Sequence, residues 1–477
     1  MSFFRDRKSR AGRNEATCGA SSLPAPVIDK PVDLSTALGF ILEPIRVSDH
    51  RQIAAARLSD DPEPTFLISR RWLVVGSAAA FLQLPTRLEV QAAPDGSRIL
   101  RARLRDAPAS NAASSNLWGY DGMLPGPTLR VRHGEELRLR LINELATPTS
   151  IHWHGVRVPN AMDGVPGLTQ AAVAPGASFD YRFRPPDAGT YWYHALPGGD
   201  IDRGLHGAFI VEEARPVAVD RELVLVISTP AASDPGAIVV NGATRPDFAV
   251  QAGERLRVRL INATAASGVV LRFDGHAAWL VAIDGQPSEP FPTRGGRVAL
   301  GPGSRIDLVV DASRAAGTVA PILAGDGIGV PVARLVYRAG GPAFAGSARP
   351  EPPPLPPTQL PARIDLRNAL RQDLDLAKLK FLSPASAPLF KVRRGRAVAL
   401  TLRNGAGAPQ VFHLHGHSFR HLDRLDDGWK PYWLDTFVIG GDIERIAFVA
   451  DNPGKWLIES RTLGRPDRTG EAFFIVS

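Results

Sequence analysis

Residues 127–143, 246–262 and 388–404 repeat one pattern, and no other feature constrains this chain as tightly. Each copy opens at a proline (Pro127, Pro246, Pro388) and runs through a short strand-like stretch to a glycine (Gly134, Gly253, Gly395). A second, alternating run ends at an asparagine nine residues past that glycine (Asn143, Asn262, Asn404). Alternation sends every second side chain to one face, as in a half-buried strand. The glycine supplies the backbone freedom of the turn. A Pro-Gly pair follows in each copy, at Pro175-Gly176, Pro302-Gly303 and Pro453-Gly454. Copies roughly 120–140 residues apart are whole β-sandwich domains rather than solenoid units.

At 477 residues the chain is too long for one ordinary core. Short runs broken by Gly, Pro, Asn and Asp dominate, and no long 3.6-periodic apolar segment stands out, so the fold class is all-β. The divisions fall at 97–215, 216–340 and 362–477. A Pro-rich segment over 341–361, carrying the run Arg349 to Thr358, reads as a stiff linker before the third domain. The formal net charge of +8 comes mostly from arginine. Pairs such as Arg138/Arg140 and Arg257/Arg259 alternate along strands and are expected to coat solvent faces. No basic stretch is interleaved with aromatics, so nucleic acid is not an expected partner.

Residues 69–82 join the twin arginine Arg70-Arg71 to an apolar run of about a dozen residues, the layout of a secretory signal. The run is shorter than the roughly 20 residues of a bilayer span, so no stable span is expected after signal removal. Val90-Gln91-Ala92 offers small residues for cleavage. The twin arginine resembles the Tat signal, which points to a periplasmic protein with a signal segment at 69–93. Residues 1–68 read as a disordered extension or an overlong translation start.

Five of the eleven histidines form a constellation. They stand in Ile151-His152-Trp153-His154-Gly155, in Trp192-Tyr193-His194-Ala195-Leu196, and in Phe412-His413-Leu414-His415-Gly416-His417. Residues i and i+2 of a strand share a face, so His-x-His aims two imidazoles at one place. Such sets suit copper or zinc. The expected ligands are His152, His154, His194, His415 and His417, enclosing a metal between the first and third domains. His413 is expected to face away from the pair. His206 reads as a local hydrogen-bonder, and Asp163 and Asp435 read as turn residues.

These segments resemble the multicopper oxidase family. The resemblance rests on His152-Trp-His-Gly, Met162-Asp-Gly-Val-Pro-Gly, Gly189 to His194, Gly204-Leu-His-Gly, His413 to His417, Leu434-Asp-Thr and Asp451 to Trp456. It runs from about residue 97 to residue 477 and implies three cupredoxin-like Greek-key β-sandwich domains in tandem. It also implies a trinuclear copper cluster between domains one and three, a blue copper in domain three, and oxidoreductase activity. By that resemblance His152 and His415 would hold the type 2 copper. One type 3 copper would keep His154 and His194 and meet Arg461. The other would keep His417, with Leu196 and Glu459 in the remaining places, and the resemblance makes Asp163 and Asp435 supports behind the ligands as readily as turn residues.

The blue site would need a cysteine at Ser460, a histidine at Gln410, another near Arg465 and an axial group near Glu471. The only cysteine is Cys18, so no thiolate stands downstream of the leader. The expected reading is therefore a copper-binding protein with fewer than four ions, or none. The alternative is a metal-free scaffold that contacts a cell-envelope protein partner. A full four-copper oxidase ranks last on chemistry, because serine is a poor substitute for thiolate and arginine stays protonated. Glu459 and Arg461 are expected to pair, with Ser460 on the opposite face.

Overall fold

The computed structural model describes residues 96–105, 117–196, 201–230, 237–339, 349–383, 386–405, 407–422 and 428–477. The extension 1–68, the signal segment 69–93, Cys18 and residues 341–348 of the linker lie outside the described residues. Among those described, no helix is long and apolar enough to cross a membrane.

The described strands form six sheets that pair into three sandwiches. In the first, Arg98–Leu104, Trp118–Tyr120, Leu137–Asn143 and Ser178–Phe183 face Gly126–Arg132, Ser150–His154, Gly189–Leu196 and His206–Glu212. The second packs a six-stranded sheet containing Arg255–Asn262 and Arg305–Asp311 on a five-stranded one. In the third, a sheet containing Ala397–Arg403 faces one built from Lys391–Val392, Gln410–Leu414, Thr436–Ile439, Gly454–Thr462 and Arg465–Val476.

The repeat explains this layout. Its two strands never pair with each other. Gly126–Arg132 runs parallel to His206–Glu212, while Leu137–Asn143 runs parallel to Arg98–Leu104 in the opposite sheet. The second and third copies do the same. The intervening glycine therefore carries the chain across the sandwich, and Gly134, Gly253 and Gly395 take φ of 90°, 82° and 81°. Parallel neighbours cannot be joined by a hairpin, so each sandwich closes by Greek-key crossovers. The terminal asparagine ties off the next loop. Asn143 Nδ2 donates to the carbonyls of Thr147 and Val173, and Asn262 Nδ2 to those of Ser267 and Leu300. The first sandwich has its own apolar core around Trp153, Tyr181 and Phe209, whereas the cores of the other two are continuous.

One expectation is corrected. Arg138 and Arg140 lie on a solvent-facing side, paired with Glu136 and Asp180. Arg257 and Arg259 occupy the same repeat positions but are fully buried. The first sandwich covers that face of the second sandwich, with Gly189 lying against the Gly285 backbone. Arg257 pairs with Asp307 and Glu213, and Arg259 with Glu222 and Asp307. Thr190 donates its hydroxyl to Asp307 from across the junction. Alternation sets which face a side chain takes; it does not tell whether another domain covers that face.

Candidate metal centre between the outer sandwiches

Strands Ser150–His154 and Gly189–Leu196 are antiparallel neighbours with His152 opposite His194. In the third sandwich His413 stands opposite Glu459 in the register of Gln410–Leu414 with Gly454–Thr462. The two edges are held together by Arg157 with Asp451, by Asn160 Nδ2 donating to the Lys455 carbonyl, and by Asn452 Nδ2 donating to that of Val158. His152, His154, His194, His413 and His415 converge at this junction, all buried.

Each ring has one nitrogen tied outward. Nδ1–H of His152 donates to the Asp163 carbonyl at 3.1 Å, that of His194 to Ala195 at 3.0 Å, and that of His413 to Asp435 at 3.0 Å. Nδ1–H of His415 donates to the Asp163 carboxylate at 3.0 Å. His154 is reversed. Its Nε2–H donates to Thr436 Oγ1 at 2.7 Å, and Thr436 spends its own hydrogen on Asp435 Oδ1. A neutral imidazole with one nitrogen donating keeps a lone pair on the other. The inward lone pairs nearly touch. Nε2 of His152 is 3.1 Å from Nε2 of His413, and Nδ1 of His154 is 3.3 Å from Nε2 of His194. Nε2 of His415 is buried without a hydrogen-bond partner.

Burial, helped by neighbouring cationic groups, lowers the pKa of His152, His154, His194 and His413 below the ordinary 6.5, so these four rings are neutral near pH 7. His415 differs. Burial works against its charge, but Asp163 and Glu459 outweigh burial and push it up to about 9. Burial would raise the Asp163 carboxyl, yet His415 and His152 hold it well below the usual carboxylate range. Asp163 is thus a support that orients two rings, one from each outer sandwich.

Thr436 sets a tautomer in the same way, which gives a direct expectation. Thr436→Val removes the acceptor for His154 Nε2–H, and the metal-free protein then shows His154 protonated at Nδ1 by long-range imidazole ¹⁵N correlation spectra. Thr436→Ser keeps the wild-type pattern. Metal affinity in the valine variant falls by about 10–100-fold, the usual effect of losing such a support.

Behind Thr436 lies a contribution from the second sandwich. Arg305, fully buried, donates to both oxygens of Asp435 at 2.8 and 2.5 Å. Asp284, also from that sandwich, accepts from the backbone N–H of Arg305. Gly155, next to the first histidine pair, leaves room for this guanidinium, since a Cβ there would meet Arg305 Nη2.

Two site expectations change. His413 does not face away; it stands inside the cluster, stacked on His154 with ring centroids 3.8 Å apart. His417 lies outside it, against Phe448, Trp456 and Phe474. The strand ends at Leu414, and Gly416, at φ 63° against the Trp456 ring, turns the chain before His417. The inward pair is therefore His413 and His415.

Leu196, on the same strand as His194, packs with Val165 and Leu457. Arg461 donates to Glu459 at 3.0 Å as expected, and Ser460 faces the other way, donating to Gln410 Oε1 at 3.3 Å. Arg465 pairs with Asp467 at the surface, and Glu471 accepts from the Leu382 N–H. His206 Nδ1 contacts the Ile201 carbonyl, a local bond. Arg305 has no signal in its local sequence, because the carboxylate it grips, Asp435, comes from another domain.

The fold and the buried histidine cluster define a cupredoxin-type protein with a candidate metal centre between its outer domains. Comparison with known proteins places it more narrowly. Profiles described as multicopper oxidase match residues 104–216, 221–320 and 355–464. A multi-copper oxidase structure from Pseudomonas thermotolerans is 33% identical, with a TM-score of 0.71, over 80% of this chain and 98% of that one. Multicopper oxidase MmcO of Mycobacterium tuberculosis is 28% identical over 77% of this chain and 85% of its own length. Copper resistance protein A of Escherichia coli is 44% identical over 110 residues, 23% of this chain and 18% of that protein. The chain belongs to the multicopper oxidase family.

Proposed function

We propose that this chain is an exported, periplasmic member of its family that binds copper at a reduced centre between the first and third sandwiches. The observation that carries the reading is the meeting of imidazole lone pairs from two domains, 3.1 Å apart and shielded from water. Unpaired buried acceptors are costly, and a cation between them removes that cost. Imidazole donors suit copper, and the relatives named for copper resistance support that choice of metal. His152 and His413 form the closest pair across the interface, with His154, His194 and His415 around them. Bound copper supplies redox and Lewis-acid chemistry, while Asp163, Thr436 and Asp435 hold the rings in the tautomers that face it. The twin-arginine segment supports the Tat route.

The residues at the blue copper position do not fit that metal. Ser460 and Gln410 bond to each other, and Arg465 is paired at the surface. Soft thiolate is missing, so the site offers no electron entry of the family's kind. Leu196 and Arg461 also remove imidazoles from the cluster, which favours fewer than four ions.

The metal-free scaffold reading, with a cell-envelope protein as partner, draws support from one feature. Asp163, His415, Glu459 and Arg461 form a chain of alternating charges that balances itself. Equilibrium dialysis of the purified protein against Cu²⁺ decides between the two. The expected result is about one tightly held ion per chain, without the intense blue absorption of a thiolate-bound copper. Absence of bound copper would leave the scaffold reading standing.

A further inference from the structure

Residues 349–359 lie as a strap along the groove where the first and second sandwiches meet. Arg349 pairs with Asp220, and Arg255 donates to the Pro350 carbonyl. Leu355 is buried against Val281, Ala282 and Val309 of the second sandwich. The Gln359 backbone N–H donates to Asp187 of the first sandwich. The strap and the two sandwiches enclose a cavity of about 630 Å³, a volume that suits a small ligand. None of its lining residues belongs to the histidine cluster.

Pro186, Pro287, Pro354, Pro356 and Pro357 line this cavity. Proline rings present flat apolar faces, carry no N–H, and pack well on aromatic planes. Most of the charged lining groups already have partners. Asp187 is paired with Arg157, and Glu213 with the buried Arg257. His133 donates Nε2–H to the Pro186 carbonyl at 2.9 Å. Arg215 differs: it lines the cavity, is exposed, and has no carboxylate partner among the described residues. We infer that this cavity is a binding site for a planar aromatic carboxylate, its ring against the prolines and its carboxylate on Arg215. A guanidinium fork matches a carboxylate with two parallel hydrogen bonds. A cationic ligand would find both lining carboxylates, Asp187 and Glu213, already held by arginines. A neutral ligand would gain nothing from the charge of Arg215.

Isothermal titration calorimetry of the full-length protein with 2-naphthoate tests this. Wild type binds one molecule per chain. The uncharged 2-naphthamide and the ringless acetate each bind at least about tenfold more weakly. Arg215→Gln weakens 2-naphthoate binding about tenfold, the usual worth of a hydrogen bond to a charged group. Its thermal unfolding matches wild type, because the Arg215 side chain is exposed. Ala214→Trp, at an exposed lining position beside Arg215, fills the space and abolishes binding while copper stoichiometry stays that of wild type. Failure of wild type to bind 2-naphthoate overturns the inference. So does equal affinity of wild type and Arg215→Gln, which would place the ligand elsewhere on the protein, and so does equal affinity for 2-naphthamide, which would remove the carboxylate from the recognition.

Discussion

Replacing His152 and His413 together with alanine takes copper binding from about one ion per chain to none. The two rings come from different sandwiches, and their inward nitrogens are the closest pair in the cluster at 3.1 Å. An ion between them bonds both domains at once, so losing both rings removes the closest bridge across that gap. The remaining imidazoles, His154, His194 and His415, then keep too open an arrangement to retain the ion through dialysis. His417→Ala supplies the contrast. Its ring packs among Phe448, Trp456 and Phe474, so its loss lowers stability and leaves copper stoichiometry unchanged. Thermal unfolding adds a second readout. Copper at 100 times its dissociation constant stabilises the wild type by about 2.7 kcal/mol, and the double variant shows no such rise. Copper retained at full stoichiometry by His152→Ala/His413→Ala would sink the assignment, as would copper lost in His417→Ala with its fold intact.

That contrast also measures what the amino-acid order makes legible. Three sandwiches follow from alternation and from glycine at three matching turns, because both are local demands of a strand and a crossing. His152, His154 and His194 are legible for the same reason, since parity along a regular strand fixes their face. Parity fails between His413 and His417. The strand stops at Leu414, and the left-handed Gly416 rotates everything after it, so counting by twos past that point assigns the wrong ring. A Gly immediately after His-x-His was the available signal that regular alternation ends there. Contributions across domains are illegible in principle from local pattern. Arg138 and Arg257 read alike, yet one meets water and the other is sealed under a neighbouring sandwich.

Arg305→Met destabilises the protein by about 3–5 kcal/mol, the usual cost of breaking a buried ion pair from one side. Arg305 is fully buried where the three sandwiches meet, and it is the cation placed between Asp284 and Asp435. Its removal leaves two carboxylates without that countercharge behind Thr436, so copper affinity falls along with stability. A double-mutant cycle with Asp435→Asn isolates the pair: the double variant loses less than the sum of the single variants, because the uncompensated charge is gone. Additive losses would mean that the guanidinium acts only by filling space. The third member gives the network a pH signature. Burial first, and then Asp435 against the pull of Arg305, pushes the Asp284 carboxyl from 3.8 up to about 7. An acid with a raised folded pKa binds its proton more tightly in the native state. Its contribution is therefore complete below pH 3.8 and is lost as pH rises through about 7. Asp284→Asn cannot titrate and escapes that loss. Its stability relative to wild type therefore rises between about pH 4 and pH 7, as measured by urea unfolding across that range. A difference that stays flat over the same interval means that Asp284 enters the native state already ionised, with Arg305 carrying both carboxylates as a charged triad.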